Sequence, residues 1–209
     1  MKTFEDFYVK KDYSNALKFL QKHAGELPPG LLHYNLGTVY SQMENWALAR
    51  YHFLQAHESG FSLPALTINQ EAVEKRLEID RLENPQSASD YLIKASLFAK
   101  EGIFTSMSLI FLVLGLLILK KNPNFKKVML WTLLVVSPVG LNYWVDSWPR
   151  LVVTEPQALS EGPSAIFNTN GELPAGVMII VRGKGDWQEV IYPSRFTGWV
   201  KTSALKKLE

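Results

Sequence analysis

Cysteine is absent from the 209-residue chain. Its absence excludes disulfides, thiolate metal ligands and a cysteine nucleophile, but it does not fix the cellular compartment. A large net charge is also absent, since 22 Lys and Arg nearly balance 20 Asp and Glu. Four of the lysines fall within positions 120–127, and the rest of the chain is slightly acidic. A nucleic-acid-binding protein would instead spread its basic residues over a face.

Catalytic and metal-binding motifs are missing as well. The histidines, at His23, His33, His52 and His57, show no HExxH or related ligand spacing, which favours packing or surface roles over a metal site. The stretch 182–187 (RGKGDW) contains glycine and lysine, but it lacks the phosphate-loop pattern and lies between predicted strands. An enzyme would need a nucleophile or base in a recognisable setting. We therefore expect no enzymatic activity, no cofactor and no metal.

Long apolar runs are present, and there are two of them. Residues 103–119 (IFTSMSLIFLVLGLLIL) and 128–145 (VMLWTLLVVSPVGLNYWV) contain 17 and 18 residues without a charge. A helix needs about 20 apolar residues to cross a bilayer, with a lower limit of about 17. The runs therefore predict two transmembrane helices, joined by the basic loop 120–127 into a hairpin. Buried core helices are the alternative, but such helices usually show a polar stripe.

The hairpin would place both flanking domains on one side of a membrane. Lys120, Lys121, Lys126 and Lys127 act as topology determinants in this interpretation, because basic loops favour the cytoplasm. Both domains would then lie outside the inner (cytoplasmic) membrane of a bacterium. The first 20 residues lack the apolar stretch of a signal peptide. Either the start lies upstream of Met1 or the two domains are cytoplasmic, and both remain open.

Residues 1–86 are predicted to be helical, with an internal repeat. The segment 35–60 alternates small and large residues at fixed offsets: Gly37, Tyr40, Trp46, Ala49, Phe53 and Ala56. Tyr13, Ala16 and Leu20 take the matching positions upstream. The pattern resembles tetratricopeptide repeats of 34-residue period, in which small residues let two antiparallel helices approach closely. A generic helical hairpin is the alternative.

The repeat geometry indicates a concave, partner-binding face formed by Tyr34, Thr38 and Ser41. A third helix is expected from Pro64 to about Asn84. Its apolar residues would pack inward, namely Leu66, Val73 and Leu77. Residues 87–102 are predicted to form an amphipathic juxtamembrane helix, which would lie on the membrane surface or pack under the repeats.

Short strands separated by Gly, Pro and Asn are predicted from residue 150 onward. The order EGPS, LPAGVMIIV, GDWQEV, GWVKTSAL resembles the bacterial SH3-like domain over residues 150–209. The resemblance implies a small all-β barrel, usually extracytoplasmic and often able to bind cell-wall peptide or glycan. Five aromatic residues are candidates for a ligand groove: Tyr192, Phe196 and Trp199, with Phe167 and Trp187. Barrel core is the alternative for most of them, and Phe196 is the one expected to be exposed.

Helical repeats, an apolar hairpin with a lysine loop and an SH3-like barrel follow one another along the chain. This order resembles the BatE-like proteins of the bacterial aerotolerance operon. The resemblance implies an envelope complex with other membrane proteins that carry von Willebrand-type domains. The predicted fold class is therefore a multidomain membrane protein with α-helical tetratricopeptide-like repeats, a two-helix transmembrane hairpin and a small all-β barrel.

Two functions follow from this architecture. The first is a non-enzymatic, membrane-anchored adaptor that binds proteins through its repeats and its barrel. The alternative is a membrane protein that binds or senses peptidoglycan through the SH3-like domain. Neither interpretation involves nucleic acid.

Overall fold

The computed structural model describes residues 3–98, 102–120, 124–183 and 185–208. The α-helices are α1 Phe4–Val9, α2 Tyr13–Lys22, α3 Pro29–Gln42, α4 Trp46–Glu58, α5 Pro64–Arg76, α6 Ile79–Leu82, α7 Ala88–Phe98, α8 Ile103–Leu119 and α9 Phe125–Asp146. The strands are β1 Arg150–Val153, β2 Gln157–Ser160, β3 Thr169–Leu173, β4 Met178–Arg182, β5 Trp187–Tyr192, β6 Gly198–Lys201 and β7 Leu205–Lys207. Short 3-10 helices cover Ala24–Glu26 and Thr202–Ala204. Two compact units result, one of residues 1–84 with 149–209 and one of residues 85–148.

Local side chains explain where the first helices begin. Asp12 and Asn45 stand at the N-caps of α2 and α4, and each accepts a hydrogen bond from a backbone N–H in the first turn. Pro29 and Pro64 open α3 and α5, where a missing N–H costs little.

The small residues of the repeat pattern allow α3 and α4 to pack closely, as predicted. A Cβ at Gly37 would lie 2.6 Å from the ring of Phe53, so only glycine fits there. Ala49, Phe53 and Ala56 are completely buried on α4. Ala16 and Leu20 of α2 are buried in a second cluster against α3.

The third helix is shorter than the sequence predicts. α5 ends at Arg76, and Glu78 adopts a left-handed conformation with φ of 54° before α6 begins. A left-handed residue cannot continue a right-handed helix, so the predicted single helix to Asn84 was wrong. The inward packing of Leu66 and Val73 is confirmed, since both side chains are buried.

The strands form one antiparallel sheet in the order β3-β2-β6-β5-β4-β1-β7. Its core is made of apolar side chains from the strands and two of their connections: Leu151, Val153, Leu159, Leu173, Val177, Ile179, Val181, Val190, Phe196 and Val200. Within the described residues no ladder joins β3 to β7, so hydrogen bonds do not close the sheet end to end. The all-β character of this part is as predicted.

The prediction of a membrane protein was wrong. In the described stretches of the chain, no helix combines the length and the apolar character needed to cross a membrane. α8 stops after 17 residues, which span about 25 Å against a hydrocarbon core of about 30 Å. α9 has 22 residues, but it includes Lys126 and Lys127 in its first turn and Pro138 in its interior. This finding overturns the predicted transmembrane helices at 103–119 and 128–145. It also overturns the juxtamembrane role of 87–102 and the inner-membrane location, which depended on them.

The second unit contains α7, α8 and α9. Gly115 of α8 is buried beneath Trp131 of α9, where an added Cβ would lie 3.3 Å from the indole.

Lys126 and Lys127 lie in the first turn of α9 and not in a loop, while Lys120 directly follows α8. Lys121 lies outside the described residues. With the membrane prediction overturned, the topology-determining role of these four lysines is overturned too.

Candidate functional site

An open groove of about 370 Å³ crosses the helical part of the first unit. Four helices (α1, α3, α4 and α5) and the turn between α3 and α4 contribute its walls. The lining residues are Tyr8, Thr38, Ser41, Gln42, Glu44, Trp46, Asn69, Ala72, Val73 and Arg76. We call this the helical groove.

Two of the predicted partner-binding residues lie in the helical groove. The Thr38 hydroxyl donates to the carbonyl oxygen of Tyr34 at 2.9 Å, and the Ser41 hydroxyl donates to that of Thr38 at 2.8 Å. Each hydroxyl uses its proton inside α3, but its oxygen retains lone pairs. Both side chains can therefore accept a hydrogen bond from a ligand N–H.

Tyr34, the third predicted residue, does not line the groove. Its ring packs between Phe53 and Phe61, at centroid distances of 6.2 and 5.4 Å. Its hydroxyl accepts a hydrogen bond from the side-chain amide of Asn69 at 3.4 Å. Tyr34 thus contributes to the groove only indirectly, by holding the side chain of Asn69.

Charged and aromatic side chains meet at one end of the helical groove. The guanidinium of Arg76 lies 5.7 Å from the centre of the Trp46 ring, a cation–π distance. Glu44 is exposed in the adjoining turn, with a left-handed φ of 58°. The groove therefore offers one cation, one anion and a flat aromatic surface to a ligand.

A buried arginine fixes α5, which forms one wall of the groove. Arg50 Nε donates to Glu74 Oε1 of α5 at 3.1 Å, and Arg50 Nη1 donates to Glu83 Oε1 at 2.6 Å. Burial alone would lower the pKa of Arg50, but Glu83 and then Glu74 raise it, so the guanidinium stays charged. Charge-assisted hydrogen bonds from a buried guanidinium are strongly directional, so they fix α5 relative to α4.

The same arginine ties the helical part to the sheet. Arg50 Nη1 also donates to the carbonyl oxygen of Gly176 at 2.6 Å, and Glu83 accepts a hydrogen bond from the backbone N–H of Met178 at 2.7 Å. Arg50 is not predicted from the sequence, because one arginine on a helix is usually exposed. Its place beside Ala49, on the apolar side of α4, was the available signal.

Two of the four histidines, His33 and His52, lie in contact with each other. His33 Nδ1 and His52 Nδ1 lie 2.9 Å apart, so one donates to the other. Burial, helped by His33 and Lys206, lowers the pKa of His52 to about 3, so it is neutral at pH 7. Over the part of the chain that the structure describes, no three His, Asp or Glu side chains come together as a metal site.

The predicted aromatic groove of the sheet does not form as expected. Tyr192 is 0% exposed and Phe196 is 9% exposed, and the Phe196 ring belongs to the sheet core. The expected exposure of Phe196 was wrong, because the turn from Pro193 folds its ring inward. A buried ring has no face left for a ligand. Trp187 and Trp199 are half-buried.

Phe167 is the most exposed ring of the predicted set, at 48%. It covers Gly162 in the loop between β2 and β3, where an added Cβ would lie 2.7 Å from the ring. The exposed Phe167 therefore does not join the buried Tyr192 and Phe196 in one groove.

No family model, no curated protein and no solved structure matches this chain. The resemblances to tetratricopeptide repeats, to SH3-like domains and to aerotolerance proteins therefore stay predictions from the sequence.

Proposed function

We propose that this protein is a non-enzymatic adaptor that binds an extended peptide segment of a partner protein in the helical groove. The observation that carries the proposal is the lining of the groove. It brings together hydrogen-bonding side chains, the half-buried rings of Tyr8 and Trp46, and the opposite charges of Arg76 and Glu44. The buried Arg50 network fixes α5, which forms one wall of the groove.

An extended peptide fits this chemistry because it carries a donor and an acceptor at every residue. Thr38 and Ser41 can accept from peptide N–H groups, while the amides of Gln42 and Asn69 offer both donors and acceptors. Trp46 offers a ring for an apolar or cationic side chain. A short groove of this kind supports modest affinity, as in transient complexes.

Binding of cell-wall material through the sheet is the weaker alternative. Tyr192 and Phe196, two of the three ligand residues predicted for it, are buried. Trp199 alone gives a small contact surface.

The test is selection from a displayed library of random linear peptides on the full chain, followed by titration of one selected peptide. Ala72 lines the helical groove, and Ala72→Phe would fill it. We expect that variant to weaken binding by about tenfold or more, or about 1.4 kcal/mol. Thr67→Phe is the matched control, because Thr67 is exposed on the same helix but does not line the groove.

Equal affinities for the two variants would contradict the proposal. Failure to select any peptide sequence would contradict it as well.

A further inference from the structure

A second hollow adjoins the helical groove. It measures about 400 Å³ and is lined by Met43, Glu44, Asn45, Trp46, Ala47, Leu77, Thr154 and Ala175. Glu44 and Trp46 line both the helical groove and this hollow. Thr154 follows β1, and Ala175 lies in the turn between β3 and β4. One end of the second hollow is therefore built by the sheet.

The sheet end of this hollow is fixed relative to the helices. Gly176, next to Ala175, adopts a φ of +89° and lies against Leu77, whose side chain would come within 2.6 Å of an added Cβ. The carbonyl oxygen of the same glycine accepts the hydrogen bond from Arg50. Arg50 therefore holds both α5, at the helical end of the two hollows, and the β3–β4 turn, at their sheet end.

We propose that the two hollows form one continuous groove, and that a single extended peptide segment runs along it from α5, over Trp46, to the β3–β4 turn. The proposal rests on the proposed function and specifies the partner. The occupant is a peptide longer than the helical groove alone can hold, with contacts on both the helical part and the sheet.

The charges along the groove specify the order of residues in that segment. Arg76 lines only the helical groove, whereas Glu44 lies where the two hollows meet. Opposite charges at a binding surface set register and partner choice. An acidic side chain therefore belongs beside Arg76 in the helical half, and a basic side chain belongs beside Glu44 at the junction.

Peptide length is the most direct test. A peptide selected on the full chain is titrated at full length and after trimming from the end that reaches the sheet. Ala175→Trp should weaken the full-length peptide by about tenfold, or about 1.4 kcal/mol, and leave the trimmed peptide unchanged. Ala158→Trp is the matched control, since Ala158 is exposed on β2 and lines neither hollow.

Thr154→Trp provides a second variant in case the turn does not tolerate tryptophan, and the thermal midpoint of each variant shows whether it folds. Peptides that lose affinity with Ala72→Phe but not with Ala175→Trp or Thr154→Trp would overturn the continuous groove while leaving the proposed function intact. Peptides insensitive to Ala72→Phe would instead overturn the proposed function itself.

Charge reversal tests the residue order separately. Glu44→Lys should replace the basic residue in the selected peptides by an acidic one. The backbone tolerates lysine there, because Lys11 adopts the same φ of 58° elsewhere in the chain. Glu71→Lys, exposed on α5 outside both hollows, should leave the selected sequences unchanged. Unaltered selection by Glu44→Lys would contradict the assigned order.

Discussion

At the scale of single residues, Gly37 allows the closest contact between α3 and α4. Gly37→Ala would bring a Cβ to 2.6 Å from the Phe53 ring, so the helices must separate. We expect the free energy of unfolding to fall by about 1–3 kcal/mol, the usual cost of overpacking. Gly25→Ala is the control, since nothing lies within 4 Å of its added Cβ. Chemical denaturation of both variants measures the difference, and equal stabilities would contradict the packing.

His52 makes the stability depend on pH. Its pKa is lowered to about 3 in the folded protein, chiefly by burial and then by His33 and Lys206. The unfolded chain takes up this proton near pH 6.5, so stability falls as the pH drops from about 6.5 towards 3. The loss is at most about 1.4 kcal/mol per pH unit.

Denaturation at a series of pH values, on the wild type and on His52→Phe, checks this dependence. The variant should show a shallower loss of stability with acid. His57→Phe, at an exposed position, should keep the wild-type slope. A His52→Phe slope equal to that of the wild type would refute the assignment.

At the scale of elements, helix caps are the strongest local signals. Asn45 accepts a hydrogen bond from the backbone N–H of Leu48 and begins α4. Asn45→Ala should lower the free energy of unfolding by about 1 kcal/mol, while Asn45→Asp retains an acceptor and should be nearly neutral. Thermal denaturation compares the two variants. An alanine variant as stable as the aspartate variant would contradict a stabilising role for the Asn45 cap.

The sequence predicts elements whose signal is local, and it fails where the signal is weak or depends on tertiary contacts. α3 and α4 were found because their contact needs small residues at regular spacing, and that spacing is visible in the chain. β3 was missed because it is an edge strand of sequence TNGEL, whose Asn-Gly pair is typical of a turn. The break at Glu78 has no local sequence signal, since glutamate rarely adopts a positive φ.

The residues of the helical groove also divide into those that the sequence predicts and those that it does not. Thr38 and Ser41 are predicted from their spacing along α3 alone. Asn69, Arg76 and Glu44 were not assigned to a site, because their place in the groove depends on how α5 and the α3–α4 turn come together. Such packing is tertiary information that local periodicity does not contain.

At the scale of the whole molecule, the lack of charge in residues 103–119 and 128–145 was the misleading signal. An uncharged run sets only a minimum for crossing a membrane, because the folded helix must also be long enough and apolar throughout. α8 reaches only the lower limit of 17 residues, α9 takes in two lysines at its start, and no helix of the described residues combines the required length and apolar character. Counting the charges did not predict where the helices would begin and end.

The buried ion pair joins the helical part and the sheet into one unit. Glu83→Gln would leave the buried Arg50 charge only partly compensated, so we expect a loss of about 3 kcal/mol in the free energy of unfolding. The matched control is Glu189→Gln, which breaks a pair with the exposed Arg182 and should cost less than about 1 kcal/mol. Similar losses from both substitutions, measured by chemical denaturation, would contradict the role of the pair.

Hydrogen exchange on the full chain, with and without a saturating selected peptide, tests peptide binding in the helical groove most directly. The account predicts slower amide exchange in 38–42 of α3, in the turn 43–46 and in 69–76 of α5. It predicts no change at the exposed β2–β3 loop, residues 161–168. Protection confined to that loop, or no protection in α3 and α5, would show that the peptide binds elsewhere and would contradict the account.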